Sequence, residues 1–134
     1  MSFLLALHPR DNIDHDAARQ NWKGNWRIPT RTEIDELLTK CTWTFETVNG
    51  MKGCKVTGPS GKSIFLPASG KYDADGVSYR NSSGYYLSSS IDSGNSQNCH
   101  SLFFTYANAS TNEASNSPYF APRWVGMSVR PVCQ

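Results

Sequence analysis

The chain has 134 residues and a formal net charge of +2, from 13 basic and 11 acidic side chains. This length predicts a single domain over residues 1–134, large enough to bury a core of its own. Charged residues make up only 18% of the chain, and Ser, Asn, Thr and Gly take their place, which favours a loop-rich β protein. The basic residues are dispersed, so the sequence lacks the basic stripe that nucleic-acid binding requires.

The N-terminal stretch MSFLLALHP contains a short apolar run at residues 3–7. A signal peptide needs an apolar core of roughly 7–15 residues and a membrane helix about 20. The run therefore predicts an early buried strand, with no signal peptide and no membrane insertion. We expect the chain to work at a cell surface or secreted as part of a longer precursor, in a phage particle, or inside a cell.

The chain has four cysteines, Cys41, Cys54, Cys99 and Cys133. No pair has CxxC spacing and no two histidines stand at zinc-finger spacing, so we expect no metal site and no cofactor. The even number allows two disulfides, with three connectivities, in an oxidising compartment. It equally allows four small buried thiols, and the sequence leaves both alternatives open.

Two motifs look like ligand-binding loops but lack essential residues. GPSGKS at 58–63 has Val56 where a phosphate-binding loop needs its first glycine, and the β-like SIFLP follows instead of a helix. DNIDHD at 11–16 lacks the glycine and the glutamate of a calcium loop. No serine stands in a G-x-S-x-G elbow, so we expect no catalytic residues.

Helix signals are confined to the first third of the chain. Residues 14–22 allow a short helix. Thr30 and Glu33 form a capping box just after Pro29. Apolar residues then follow at i, i+3, i+4 and i+7, from Ile34 to Cys41, as one stripe. This pattern predicts a helix from about residue 31 to 40.

The period changes to that of strands from residue 42 onward. TWTFETV and MKGCKVT flank Asn49-Gly50, the strongest short hairpin signal. GPSG at 58–61 predicts a second turn, followed by KSIFLP as a third strand. Residues 68–83 are expected to be loop, and YYLSSS, LFFTY and GMSVRPV are later strand candidates.

The polar stretch TYANASTNEASNSPYFAPRWV at 105–125 lies between two apolar strand candidates. Disordered segments lack aromatic residues to bury, whereas this stretch carries four of them. It is therefore predicted to be an ordered surface loop.

Six stretches together resemble one protein family. They are W-x-G-x-W-R-x-P-T-x-x-E at 22–33, ELL-x-x-C-T-W at 36–43, NG-x-x-G-x-K-V-T-G-P-x-G-x-S-I-F-L-P-A at 49–68, Y-Y-x-S-S-S at 85–90, L-x-F at 102–104 and G-M-S-V-R-P-V at 126–132. The succession resembles the Fibrobacter-type major paralogous domain. That resemblance implies the C-type lectin fold, which formylglycine-generating enzymes share, and a place in surface, pilus-like or phage tail-associated products.

The chain departs from this family in two ways. Members usually carry a further upstream segment with another apolar strand, for which MSFLLALHP is a candidate substitute. The EPN, QPD and WND patterns of calcium-dependent lectins are absent, so lectin-type calcium binding is not implied. The chain also resembles variable proteins of diversity-generating retroelements, which share this fold and accumulate Asn, Ser and Tyr at exposed positions. Residues 81–122 contain no Lys or Arg and are rich in these three residues.

The residues and the resemblance together predict an α+β, C-type lectin-like domain. Two short helices would pack on small antiparallel sheets, with long surface loops on one side. The predicted core consists of Trp22, Trp26, Ile28, Leu37, Leu38, Trp43, Phe45, Ile64, Phe65, Leu66, Leu87, Phe103 and Val129.

The leading functional hypothesis is a non-enzymatic recognition module whose loops at about 91–125 bind a protein or glycan on a host or neighbouring cell. Tyr supplies rigid amphipathic area in antibody-like contact surfaces, and Ser, Gly and Asn supply adaptable hydrogen bonds. The predicted ligand-binding residues are Asp92, Asn95, Asn98, His100, Tyr106, Asn108, Asn112, Asn116, Tyr119, Phe120 and Trp124.

Two alternatives belong to other functional classes. The first is a thiol oxidoreductase similar to formylglycine-generating enzymes, in which Cys99 and Cys133 would be the reactive pair. The second is a structural subunit of a surface or phage assembly, a homo-oligomer that associates through an unpaired edge strand.

Overall fold

The structure is a computed structural model that describes residues 4–6, 17–22, 24–91, 94–95, 97–108, 113–122 and 124–133. For residues 4–6, 17, 19–20, 107–108 and 113–121 it describes the backbone alone. The elements in chain order are β1 Leu4–Ala6, α1 Ala17–Trp22, β2 Trp26–Arg27, α2 Arg31–Lys40, β3 Thr42–Val48, β4 Met51–Thr57, β5 Ser63–Pro67, β6 Lys71–Asp73, β7 Gly76–Ser78, β8 Ser83–Ile91, β9 Asn98–Asn108, β10 Glu113–Pro122, β11 Met127–Val129 and β12 Val132–Cys133.

Antiparallel strands dominate this mixed α+β chain, so the predicted class is confirmed at that level. The helical part is small: α2 has ten residues, and α1 has six, within the stretch 14–22 that the sequence allowed to be helical. The small sheets that we expected are instead mainly one sheet of eight strands, in the order β1-β11-β8-β9-β10-β3-β4-β5. Two-stranded pairs, β12-β2 and β6-β7, accompany it.

The predicted helix at 31–40 is confirmed, with the predicted cap. Thr30 has an extended backbone, and its Oγ1 accepts a hydrogen bond from the Glu33 N–H at 3.3 Å. The Glu33 carboxylate lies 3.2 Å from the same hydroxyl and 2.8 Å from Arg27 Nη1. At the other end, Trp43 Nε1 donates to the Leu37 carbonyl at 2.9 Å. The helix is therefore attached to its neighbours at both ends.

The hairpin predicted around Asn49-Gly50 is confirmed. β3 and β4 pair in register at seven positions, from Thr42 with Thr57 to Val48 with Met51. Asn49 and Gly50 both have positive φ, 50° and 79°, as a two-residue turn with the twist of the flanking strands requires. β5 pairs with β4 after the predicted second turn.

The early strand is also confirmed, since β1 pairs antiparallel with β11 at one edge of the large sheet. The predicted burial of its side chains lies outside the described part of the chain. β11 runs parallel to β8, and the other strand pairs of this sheet are antiparallel.

Strands β8 and β9 lie at the centre of the molecule and are covered on both faces. Tyr85, Leu87 and Cys99 belong to one buried cluster, with Ile28, Met127 and Val129. Tyr86, Leu102 and Phe104 belong to a second cluster, with Trp43, Phe45 and Ile34 from α2. Because neighbouring residues of a strand point to opposite faces, each central strand supplies both cores.

Most of the predicted core is confirmed. Ile28, Trp43, Phe45, Leu66, Leu87 and Val129 are buried, while Trp22, Leu37, Leu38, Ile64 and Phe103 are partly buried against the two clusters. Phe65 is only partly buried. The prediction for Trp26 is wrong, because this side chain is 42% exposed. Trp26 lies in the short β2–β12 ribbon, opposite Cys133.

All four cysteines are free thiols, so the two disulfides that the sequence allowed are not formed. Cys54 and Cys99 are buried, as the alternative of four buried thiols expects, whereas Cys41 is partly buried and Cys133 is exposed. Burial, with a smaller contribution from the negative charge of Glu46, raises the pKa of the Cys54 thiol from 9.0 to about 12.

The close contact between Gly84 and Phe104 gives the first prediction. A Cβ at Gly84 would overlap the Phe104 ring, which is completely buried. We expect Gly84→Ala to lower the free energy of unfolding by about 1–3 kcal/mol, measured by urea denaturation. Gly58→Ala is the matched control, since its nearest neighbour would be 3.8 Å away. Equal effects of the two substitutions would contradict this packing.

The raised pKa of Cys54 predicts a loss of stability at alkaline pH. The thiol ionises near pH 9.0 in the unfolded chain and near 12 in the folded chain. Between these values ionisation stabilises the unfolded chain, so the contribution of Cys54 to the free energy of unfolding is full below pH 9.0 and is lost as the pH rises towards 12. Urea unfolding across this range should show a falling free energy, with a shallower slope in Cys54→Ala. The slope should not vanish, because burial also raises the pKa of Tyr86. Identical slopes would contradict the assignment to Cys54.

Candidate functional site

The polar stretch 105–125 is mainly strand, so the prediction of a surface loop is wrong. β10 pairs with β9 at ten positions, from Pro122 with Asn98 to Glu113 with Asn108, and shifts register between Glu113 and Ala114. β10 pairs with β3 only at Glu113. Within the described chain, β10 therefore has one strand partner over most of its length, which explains why it tolerates Pro118. The loop expected at 91–100 is shorter too, since β8 extends to Ile91 and β9 begins at Asn98.

The structure describes the predicted contact residues to different extents. Asn95, Tyr106 and Trp124 are exposed, and Asn98 is half-buried. The structure describes only the backbone of four others, which pairs within the β9–β10 ladder: Asn108, Asn116, Tyr119 and Phe120. Asp92 and Asn112 lie outside the described residues altogether. Tyr106 packs its ring against Phe45, with centroids 5.2 Å apart.

The prediction that His100 contacts a ligand is wrong. This side chain is only 8% exposed, and its Nε2 lies 3.5 Å from Arg31 Nη1 at the start of α2. Neighbouring serines reinforce the same junction: the Arg31 N–H donates to Ser90 Oγ at 3.1 Å, and the Ser89 N–H donates to the Pro29 carbonyl at 2.9 Å. His100 therefore belongs to the contact between the central strands and the helix N-terminus.

A row of aromatic rings crosses the opposite face of the central strands. The Tyr79 and Tyr85 ring centroids are 6.2 Å apart, and those of Tyr85 and Phe103 are 5.0 Å apart. Lys71 Nζ lies 5.6 Å from the Tyr79 ring centroid and 5.5 Å from that of Tyr85. Tyr85 is buried, whereas Tyr79 is 56% exposed. The row thus extends from the core to the surface, with an ammonium group over it.

Two further exposed aromatic residues adjoin this row through the backbone. Tyr72 exchanges two backbone hydrogen bonds with Gly126, of 2.8 and 2.6 Å. Trp124, two positions before Gly126, is 63% exposed. We call the exposed surface around this segment, formed by Lys71, Tyr72, Val77, Tyr79 and Trp124, the aromatic face; its four apolar members are among the most exposed large hydrophobic side chains of the described chain. Lys71 and Tyr72 are adjacent in β6 and point to opposite sides of the strand, so Tyr72 and its cross-strand partner Val77 lie on the other side from the Lys71–Tyr79 contact.

A short hairpin holds the aromatic face in place. β6 and β7 pair at three positions, and Asp73 Oδ1 accepts from the Asp75 N–H in the turn at 3.0 Å. Tyr79 follows with a φ of 60°, and its carbonyl accepts the N–H groups of Ser82 and Ser83 at 3.1 and 3.0 Å. A left-handed backbone is uncommon for a bulky residue, so this exposed ring is held at a local cost in backbone energy.

The sequence interpretation missed these residues because it assigned 68–83 to a loop. A signal was present in KYDADGVSY, where Asp75-Gly76 stands between two apolar residues, Tyr72 and Val77, that pair across the hairpin. Asp-Gly is a hairpin signal of the same kind as Asn49-Gly50. Its flanking strands have only three residues each, too few for a clear alternation.

The aromatic face offers phenol, indole and methyl groups and one ammonium. In the residues that the structure describes, no three His, Cys, Asp or Glu side chains are grouped to hold a metal ion. No helix in the same residues is long and apolar enough to cross a membrane.

Comparison of the chain with protein-family models, with curated proteins and with solved structures finds no match. The residues of the aromatic face and their geometry therefore carry the functional argument.

The left-handed backbone of Tyr79 predicts that glycine and alanine variants differ in stability in opposite directions at Tyr79 and Tyr72. Glycine accepts a φ of 60° freely, so Tyr79→Gly should be more stable than Tyr79→Ala by about 1 kcal/mol. At Tyr72, in extended β6, the order should reverse, with alanine more stable than glycine by about 0.5–1 kcal/mol. Urea denaturation of the four variants measures both differences. Alanine more stable than glycine at both positions would show that Tyr79 is not strained.

Proposed function

We propose that this chain is a non-enzymatic recognition module that binds a protein or glycan through the aromatic face and the adjoining β9–β10 hairpin. The observation that carries the proposal is Tyr79, a large exposed ring on a left-handed backbone, continuous with buried rings behind it. Folding alone does not favour an exposed aromatic side chain in a strained conformation. Such outliers concentrate where structure is retained for binding.

The rings of the aromatic face are suited to act as binding anchors. Tyr and Trp have few rotatable bonds, so they bury large areas at a low cost in conformational entropy. Tyr79 is further restricted by Tyr85 and Lys71, which contact it from the core side. Anchors that are already positioned dominate the affinity of many interfaces.

The β9–β10 hairpin supplies the adaptable polar part of the proposed contact surface. Phe103, at the end of the aromatic row, pairs with Ser117 of β10. Ladder hydrogen bonds belong to the backbone, so β10 can vary its side chains without losing them. We extend the proposal to the fold and origin of the chain. The fold would be a C-type lectin-like domain of the major paralogous type, displayed on a cell or phage surface. A retroelement would diversify its segment 81–122.

The two alternative functions have less support. A thiol enzyme of the formylglycine-generating kind requires two accessible cysteines, and Cys99 is completely buried. Assembly through an edge strand would have to use β1, which has three residues, β5, which has five and ends in Pro67, or the side of β10 beyond Glu113 that has no strand partner in the described chain. Pro118 and Pro122 interrupt that side of β10. Short edges and proline limit pairing with another chain.

Alanine substitution of Tyr79 and Trp124 tests the proposed function. A panel of immobilised glycans and surface proteins from neighbouring cells first identifies a target of the unmodified chain. We then expect Y79A/W124A to weaken binding at least about tenfold, as loss of anchors typically does, without a change in fold by circular dichroism. Substitution of Tyr119 and Phe120 by alanine tests the β10 part of the surface in the same way.

The matched control is V48A/M51A, which removes two exposed apolar side chains at the tip of the β3–β4 hairpin. This variant should keep full affinity. Equal losses in both double variants would indicate non-specific hydrophobic adsorption, and retention of affinity in Y79A/W124A would refute the proposed site.

A further inference from the structure

The tip of the β3–β4 hairpin places a side-chain amide next to an unhindered backbone nitrogen. Asn49 and Gly50 are both exposed, and both have a positive φ. The space around Gly50 is open, since a Cβ built there would meet no atom within 4 Å. Among the hydrogen bonds of the described residues, none involves the Asn49 side chain or the Gly50 N–H. No contact of the fold therefore holds the two groups away from each other.

An asparagine side chain in this position reacts with the backbone that follows it. The Gly50 nitrogen attacks Asn49 Cγ, and as the new C–N bond forms, the bond from Cγ to the side-chain nitrogen breaks. Ammonia leaves with the proton of the Gly50 N–H, and a cyclic imide remains. Water then opens the imide at one of its two carbonyl groups, which yields either aspartate or isoaspartate. The reaction consumes water, releases ammonia and requires no oxidant.

We propose that Asn49 is a site of spontaneous deamidation in the folded chain, and that its isoaspartyl product weakens the β3–β4 hairpin. Glycine at residue 50 favours the attack, because it has no Cβ to obstruct the approach of its nitrogen. The turn has to open locally for the attack, and exposed loop tips open at little cost in free energy. Neither residue belongs to the aromatic face, so this site is independent of the proposed function.

Asn81 shares the left-handed backbone and the exposure of Asn49, but its surroundings oppose the same reaction. Its φ is 68°, and Ser82 follows it. The Ser82 N–H, which would be the attacking group, donates to the Tyr79 carbonyl at 3.1 Å. The Asn81 N–H donates to the Ala68 carbonyl at 2.7 Å. This segment must break hydrogen bonds before it reacts, whereas the hairpin tip does not.

The two products differ in their effect on the hairpin. Aspartate preserves the backbone, and Asp-Gly suits the same two-residue turn as Asn-Gly. Isoaspartate carries the main chain through the former side chain and so inserts an extra methylene group into a loop that fits two residues. β3 and β4 pair at seven positions, and their register places Phe45 opposite Cys54 in a buried cluster. A longer backbone at the tip would strain this register.

Peptide mapping of the aged protein tests the site. The native chain is incubated at mildly alkaline pH and digested with trypsin, which releases residues 41–52 as a peptide with Asn49 as its single asparagine. Mass spectrometry should show this peptide converting to two products of equal mass, in which an amide has become a carboxylic acid. Isoaspartyl methyltransferase should label only one of the two products.

The same incubation in guanidinium chloride gives the rate for the unfolded chain at each asparagine. Folding should slow the reaction at Asn81 at least about tenfold more than at Asn49, because the Ser82 N–H must first leave the Tyr79 carbonyl. Fragmentation of the peptide 81–123 locates the products of Asn81. Equal slowing at the two positions, or no reaction of peptide 41–52 in the folded chain, would refute the proposed site.

Two variants separate the backbone change from the change in charge. Asn49→Gly keeps a favoured turn sequence without the side-chain amide, so its peptide should not change mass and its urea midpoint should not fall on ageing. Freshly purified Asn49→Asp should unfold at the same urea concentration as the fresh unmodified chain. The isoaspartyl fraction of the aged unmodified chain, isolated by chromatography, should unfold at a lower one. Equal midpoints for the isoaspartyl fraction and Asn49→Asp would contradict the proposed effect on the hairpin.

Discussion

The contact between Phe104 and Gly84 is the constraint on which the rest of the molecule depends. The two residues pair across β8 and β9, and the ring occupies the space where a side chain at residue 84 would begin. The ring then meets Trp43 at 5.9 Å, Phe45 at 6.5 Å and Tyr86 at 6.1 Å between centroids. A single ring therefore packs the two central strands against β3, which pairs with β4, and β4 in turn pairs with β5.

The strict alternation of the central strands separates two surfaces of different chemistry. Tyr85 and Tyr86 are neighbours in sequence, yet the Tyr85 ring lies tilted against Tyr79 and near the Lys71 ammonium, while Tyr86 lines a cleft between α2 and the segment 130–133. A slip of one residue in the register of β8 would exchange these positions and destroy both surfaces. The Gly84–Phe104 contact opposes such a slip, because only glycine fits beneath the ring. The packing of one core thus specifies the aromatic face and the cleft at the same time.

The sequence predicted the parts of this fold that depend on local interactions. The Thr30 cap and the Asn49-Gly50 turn act over a few residues, and both were correctly identified. β10 was missed because Asn and Ser have low strand propensity; its pairing depends on β9 and not on its own pattern. His100 was assigned to the surface because a histidine in a polar segment gives no sign of its burial against α2. The cleft has no sequence signature, since its walls come from five separated stretches of chain.

The position of α2 decides whether the cleft exists before a ligand arrives. At its N-terminus the helix is held by Ser90 and by the Ser89–Pro29 hydrogen bond, and near its C-terminus by Trp43. These contacts join α2, and Pro29 just before it, to strands of the large sheet, so the helix that carries Leu37 cannot move away without breaking hydrogen bonds at both ends. A preformed cleft orders few groups on binding.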